Sequence, residues 1–407
     1  MKIALLHYAA PPVVGGVESV VGHHASLMAS AGHAVRVIAG RGEAFDPSVE
    51  FISLPLIDSR HPEVMALKAE LDKGHVPPGF EPMVKATCQA LEHALANTDV
   101  LIAHNVCSLH KNLALTTALR AVSAQSGAPH LILWHHDLAW VTPRYRSELH
   151  DGDPWDLLRT DWPGVTQVVV SEFRRRELAN LLSVPLERIK VIPNGIDPVS
   201  FYKWEAQTQA LIHQTNLLSA APILLLPVRI TPRKNIELAL RALSALRAEY
   251  PEAALVVTGP LGAHNPANAA YFDQLRALRA ELQLERAAHF LAERVDGYLP
   301  DAVIADFYRL SDALLLPSRE EGFGIPILEA GLSGLPIFCA DIPPLRDLAG
   351  QQASYFSPGA DPEQVAALMA RRLGANPTFV LRARVRQSYT WEQIYTRWIA
   401  PLLEAGS

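Results

Sequence analysis

Glu321-Gly322-Phe323-Gly324-Ile325-Pro326-Ile327-Leu328-Glu329 sets two carboxylates eight positions apart, on either side of a glycine-bearing turn that opens a helix. Pro326 suits the first helical turn, where the N–H it lacks would have no partner. Gly322 and Gly324 let the backbone approach a ligand and turn bare N–H groups toward it. A helix start carries roughly half a positive charge, which favours an anion such as a diphosphate. Glu329 lies about one turn inside, a rise of ~5.4 Å, where it could accept both hydroxyls of a ribose beyond the phosphates. Glu321 stays in the turn, free to bond the hydroxyls of a sugar on the other side. One segment could thus grip a sugar, a diphosphate and a ribose in sequence, which is the outline of a nucleotide-sugar.

Upstream, Ile223-Leu224-Leu225-Leu226-Pro227-Val228 reads as a buried strand, and Arg229-Ile230-Thr231-Pro232-Arg233-Lys234-Asn235 leaves its end. Three other stretches stand in order before it: Gly15-Gly16 after the first strand, His135-His136-Asp137-Leu138, and Pro193-Asn194-Gly195-Ile196-Asp197. Together with the E-x7-E segment they resemble the retaining, family-four glycosyltransferases, relatives of glycogen and sucrose synthases, over essentially the whole chain. The resemblance implies an α/β chain of the GT-B fold, two doubly wound Rossmann-like domains facing each other across a cleft. It also implies roles for residues. Arg229 and Lys234, five apart, match the paired cations that hold the donor diphosphate. Glu321 meets the transferred sugar, and Glu329 with Phe323, Gly324 and Ile325 completes the donor site. Gly15 and Gly16 match a glycine loop facing the donor, with Gly15 providing the turn and Gly16 the close approach; G-x-G-x-x-G spacing is absent, so this is no dinucleotide fingerprint. A histidine beside the transferring sugar aligns with His136, although placement by strand length also allows His135.

An arginine fork and a lysine point charge suit phosphate oxygens. With the helix start at Ile325 they would form a fixed clamp on charge developing in the leaving diphosphate. The family resemblance therefore implies transfer without a metal or any other cofactor, the nucleotide-sugar being a substrate. The acceptor is expected on the first domain, along strand ends near His104, Asn105, His135, His136, Asp137 and Arg144, a wall suited to a hydroxylated molecule. Asp151-Gly152-Asp153 matches a metal-binding D-x-D, yet no strand leads to it. Arg174-Arg175-Arg176 reads as a solvated helix face.

At 407 residues the chain suits two domains of similar size. Apolar residues make up 49% and charged residues 19%, ordinary for a globular α/β protein, and the formal charge of −6 gives no support to a nucleic-acid partner. Three scattered cysteines, Cys88, Cys107 and Cys339, offer neither a disulfide framework nor C-x-x-C spacing and point to a reducing cytosol. The opening Met1–Tyr8 fits a first strand better than a signal peptide, and no window reaches the ~18 apolar residues of a membrane span. The reading is a cytoplasmic chain with peripheral contact at the inner membrane left open, since family members often glycosylate lipid-linked acceptors.

Short apolar runs alternate with amphipathic segments throughout. Ile3–His7, Val35–Ala39, Val100–His104, Leu131–Trp134 and Val168–Ser171 read as strands of one sheet. Ile223–Val228, Ala254–Thr258, His289–Leu291, Ala313–Pro317 and Pro336–Ala340 read as strands of a second. Continuous apolar strands separated by helices predict parallel sheets covered on both faces. The expected domains are 1–197 on the acceptor side and 198–389 on the donor side. Thr390-Trp391-Glu392-Gln393 has capping-box spacing, and by resemblance the segment 390–407 crosses back as a helix onto the first domain. The expected reaction is hexose transfer to a hydroxyl of a sugar, glycan or lipid-linked sugar. The alternatives are a sugar-nucleotide epimerase on the same fold and a non-catalytic nucleotide-sugar binder.

Overall fold

The computed structural model describes residues 1–261 and 266–405. It divides into two compact units, Met1–Gly195 with the segment from Trp391 onward, and Ile196–Thr390. Each is a parallel sheet covered by helices.

The first unit has seven strands: β1 (Lys2–Ala9), β2 (Ala34–Arg41), β3 (Val49–Ser53), β4 (Val100–His104), β5 (His130–His135), β6 (Thr166–Val169) and β7 (Ile189–Val191). Their spatial order is β3-β2-β1-β4-β5-β6-β7, all pairs parallel. Every residue of β4 is buried, as a strand covered on both faces requires. The pleat sends Ile3, Leu5, Ile102 and Trp134 to one face, against Val20, Val21 and Ala25 of the helix Gly16–Ser30. Ala4, Leu6, Leu101, Leu131 and Leu133 go to the other, against Leu91 and Leu115 of the helices Phe80–Ala94 and Leu113–Ser123. Trp391, Ile394, Ile399, Leu402 and Leu403 from the end of the chain also pack on the first face. That contact needs glycine at 195, because a Cβ there would lie 2.6 Å from Trp391 Cδ2.

The second unit has six strands: β8 (Ile223–Leu226), β9 (Ala254–Val257), β10 (Ala288–Phe290), β11 (Ala313–Leu316), β12 (Ile337–Ala340) and β13 (Ser354–Phe356). They lie in the order β10-β9-β8-β11-β12-β13, again parallel. At the amino ends of the central pair, Asp312 accepts the Ile223 N–H at 2.8 Å and pairs with the buried Arg386 at 2.6 Å. The strand order reverses between β1 and β4 in one sheet and between β8 and β11 in the other. Loops leaving the carboxyl ends at such reversals diverge to opposite faces and leave a crevice, the usual ligand position in open α/β sheets.

The sequence reading needs three corrections. β3 and β13 were not anticipated; each is a short edge strand. Val168–Ser171 is cut at Val169, because Ser171 instead caps the helix Glu172–Leu182, its side chain accepting from the Arg174 N–H at 3.2 Å. The chain after Trp391 is helical but not uniform, since a wider turn spans Tyr395–Ile399.

Candidate functional site

In the second unit the loops after β8 and β11 are stitched together at several points. The Arg319 N–H donates to the Arg233 carbonyl at 2.8 Å. Asn235 takes a left-handed backbone (φ 54°), a conformation asparagine tolerates better than most residues. Its side-chain amide, buried, donates to the carbonyls of Pro317 and Pro358 at 3.0 and 2.9 Å. Across this seam Lys234 Nζ donates to Glu321 Oε1 at 2.5 Å, and Ser318 Oγ donates to the same oxygen at 2.7 Å. Both charged side chains are only 9% exposed, and Arg233 stands 3.7 Å from the second Glu321 oxygen. Burial holds the Lys234 ammonium below the usual lysine range, with Glu321 pulling back upward and Arg233 adding to the depression. Removing either partner would strand a buried charge.

Arg229 differs from Lys234. It is exposed, makes no ion pair among the described residues, and lies 5.7 Å from the Tyr298 ring centroid. Gly324 begins the helix Ile325–Leu332 at φ 106°, a backbone that favours glycine, and a Cβ there would also force the Leu345 side chain, 2.7 Å away at Cδ2, to shift. Phe323 and Ile325 are exposed beside it. A Cβ on Gly322 would meet nothing within 4 Å, so this fold demands no glycine there. One turn into the helix, Glu329 Oε2 accepts from the buried Tyr308 hydroxyl at 2.6 Å. Burial, and then the carboxylate, push the Tyr308 hydroxyl's pKa far up, so it stays a donor.

In the first unit His104, Asn105, His135, His136 and Asp137 gather at the ends of β4 and β5. The pleat separates the two adjacent histidines. His135 Nε2 pairs with Gln167 Oε1 at 2.7 Å on one face, whereas His136 Nε2 lies 3.2 Å from His104 Nδ1 on the other. His7 Nδ1 lies 2.8 Å from the His104 carbonyl. His24, from the helix Gly16–Ser30, packs its ring on His104 and edge-on to Trp134, with neither nitrogen hydrogen-bonded. Asp137 is held by Arg174 at 3.2 Å. Arg144 does not share these contacts: it is exposed on the turn Pro143–Glu148, over its neighbour Tyr145. Gly15 does not make the turn through an unusual φ. It is extended at −175°, and a Cβ there would meet the Glu18 carboxylate at 2.0 Å, while one on Gly16 would meet nothing within 4 Å.

The D-x-D match carries an ion pair instead, Asp151 with Arg159 at 2.7 Å. Arg174 and Arg175 are likewise paired, with Glu177 at 2.7 Å and Glu172 at 3.2 Å.

The family model described as glycosyl transferases group 1 matches residues 208–386, and the one described as Glycosyltransferase Family 4 matches residues 14–199. The chain belongs to the family-four, group 1 glycosyltransferases. It is thus an enzyme of a retaining family that takes sugar from nucleotide-sugar donors, and each of its two units is a doubly wound parallel sheet. A glycogen synthase from Mycobacterium tuberculosis is 25% identical over 97% of this chain and 93% of its own length. An MMP α-(1→4)-mannosyltransferase from Mycolicibacterium hassiacum is 24% identical over 98% and 97%. A D-inositol 3-phosphate glycosyltransferase from Thermobispora bispora is 31% identical over 49% of this chain and 45% of its own.

Sequence reading of this glycosyltransferase missed Tyr308, Asn235, Ser318 and His24. Tyr308 hides on the apolar face of the helix Asp301–Leu310, and nothing in its spacing from Glu329 marks it. Asn235 was open to discovery, since asparagine between a turn and a helix often signals a left-handed residue.

Burial makes His7, His24 and His136 reluctant to protonate. His7 is pushed down to about 4, chiefly by burial against an upward pull from the His104 carbonyl and Glu18. His24 and His136 are both pushed down to about 3, by burial and then by neighbouring rings. In the unfolded chain such rings protonate near 6.5, so below that pH the unfolded state binds more protons and stability falls. Each fully shifted histidine should cost about 2 kcal/mol at pH 5. Urea unfolding followed by tryptophan fluorescence should therefore show a lower midpoint at pH 5 than at pH 7.5. In His24→Phe, which removes a ring whose nitrogens have no partners, the difference should shrink. A midpoint that does not move with pH, or an unchanged difference in the variant, would contradict this reading.

Proposed function

We propose that this chain is a metal-independent transferase that moves a hexose, with retention, from a nucleoside-diphosphate sugar to a hydroxyl of a sugar, glycan or lipid-linked sugar. One observation carries the reading: the buried Lys234–Glu321 pair at the β8/β11 reversal, with Arg229, which has no ion pair among the described residues, beside the same loops and Glu329 one turn along the following helix. An ammonium has three donors; with one on Glu321, the others are left for a diphosphate. Arg229 supplies a planar fork. The start of the helix Ile325–Leu332, with Phe323 and Gly324 before it, adds backbone N–H groups and partial positive charge. These are fixed donors aimed at charge that grows as the leaving group departs. Tyr308 engages one oxygen of Glu329, leaving the other for ribose hydroxyls. Glu321, steadied by Lys234 and Ser318, keeps lone pairs for the hydroxyls of the transferred sugar.

The first unit contributes the acceptor side, with His136 as the sugar-side histidine and Gly15 and Gly16 on the donor phosphates. Among the ring pair, His136 is favoured over His135, whose ring is turned to Gln167. Retention fits front-face attack assisted by the departing phosphate, without a covalent sugar on Glu321. The relatives' names point to a glycan, a mannosyl group and an inositol phosphate, so UDP-glucose-like and GDP-mannose-like donors rank together. The base would be selected by backbone around Ala292–Val295. No helix among the described residues is long and apolar enough to cross a membrane, so a lipid-linked acceptor would be met peripherally. The three free cysteines fit a cytoplasmic setting.

Calorimetry with bare UDP and GDP separates the two glutamates. Glu329→Ala should lose roughly 10–100-fold in affinity, the worth of hydrogen bonds to a charged group, and Tyr308→Phe less. Glu321→Ala should leave binding of the bare diphosphate nearly intact while damaging recognition of the sugar. Equal losses in the two glutamate variants would contradict the assignment. Proton NMR of the first-formed product from an α-linked donor should show an α-glycoside. A β anomer, or epimerised donor with no acceptor consumed, would overturn the reaction proposed.

A further inference from the structure

Asn105, read from the sequence as part of the acceptor wall, also ties together the ends of two strands. It follows the last residue of β4 and holds a left-handed backbone at φ 59°. Its own N–H donates to the Trp134 carbonyl at 2.9 Å, carrying the ladder one residue beyond the strand. Its carbonyl accepts from the N–H groups of Ser108 and Leu109 at 3.2 and 3.1 Å. Its side chain faces the next strand: Oδ1 accepts from the N–H of His136 at 2.7 Å and from that of Asp137 at 3.1 Å. The residue is 3% exposed, so water offers no substitute for those bonds. One carboxamide thus closes the turn that leaves β5 and fixes the backbone from which the His136 ring projects. The ring is then held from its far side by His104, itself fully buried.

We propose that Asn105 is a positioning residue of the transfer reaction, aiming the His136 imidazole through two backbone hydrogen bonds rather than touching the acceptor. The proposal rests on the sugar-side role given to His136 above. Asparagine suits both demands, since its short amide tolerates the left-handed region and a carbonyl oxygen can accept two hydrogen bonds. Aspartate keeps the two-fold acceptor. Glycine keeps the backbone and removes the clamp. Preorganised geometry of this kind is sensitive to displacements of about 1 Å, which can cost ~10²-fold in rate.

The test compares Asn105→Gly and Asn105→Asp in the full chain, with UDP-glucose and GDP-mannose as donors, UDP and GDP calorimetry, and NMR of histidine labelled with nitrogen-15. Asn105→Gly should lower kcat about 10–100-fold, leave nucleoside-diphosphate affinity within about two-fold, and shift the His136 ring-nitrogen resonances. Asn105→Asp should restore most of kcat and the wild-type resonances. Wild-type kcat in Asn105→Gly, or His136 resonances unmoved in it, would overturn the proposal. So would an aspartate variant as poor as the glycine one, or unfolding of both variants, which would make the residue structural. If wild type itself transfers no sugar, the proposed reaction fails, while the His136 resonances still decide whether Asn105 positions the ring.

Discussion

The salt bridge between Lys234 and Glu321 ties two loops that leave neighbouring strands of the second sheet. The two residues are 87 apart in sequence and meet because β8 lies between β9 and β11, which brings the loops after β8 and β11 side by side. Neither charge is cheap to bury alone, so each requires the other, and the bonds of Asn235 and Arg319 hold the same loops beside them. Arg229 leaves one end of the seam, and Gly324 with its helix leaves the other. A buried ion pair of this kind adds little net stability over apolar packing. Its value here lies in presenting ammonium protons and carboxylate lone pairs in fixed positions.

The two units solve different electrostatic problems. The second concentrates full charges, with Arg229, Arg233 and Lys234 set against Glu321. The first keeps its polar centre neutral: His7, His24, His104 and His136 sit among Trp134 and Trp391, and burial depresses the pKa of all four. A neutral imidazole can donate from one nitrogen and accept at the other, which suits a hydroxylated sugar. The diphosphate calls for cations. The chemistry proposed for each unit follows the charge that its side chains carry: neutral rings in the first, cations beside a carboxylate in the second.

Much of this was legible in the chain. β4, β8 and β11 announced themselves as unbroken apolar runs because both of their faces are covered. β3 did not, since Glu50 interrupts it and an edge strand has less need of burial; β13 is three residues long. The E-x7-E segment and the Arg229–Lys234 pair displayed their chemistry at fixed spacing along single loops. Contacts between loops were invisible. The bond from Lys234 to Glu321 depends on strand order, and the bond from Tyr308 to Glu329 on how a helix lies across the sheet. The choice between His135 and His136 was left open by sequence because one residue of register reverses the face. In the structure the His136 ring meets His104 while His135 turns to Gln167, and the contacts of Asn105 and His24 emerged only there.

Thermal unfolding of the intact chain with UDP, GDP and ADP, each with and without EDTA, is the most direct check on the diphosphate clamp. A ligand at 100 times its Kd adds about 2.7 kcal/mol to the folded state. At least one nucleotide should raise the midpoint, the gain should survive EDTA, and it should shrink in Arg229→Ala, which removes an exposed side chain and leaves the buried pair intact. No stabilisation by any of the three, a gain abolished by EDTA, or a gain unchanged in Arg229→Ala would contradict the account.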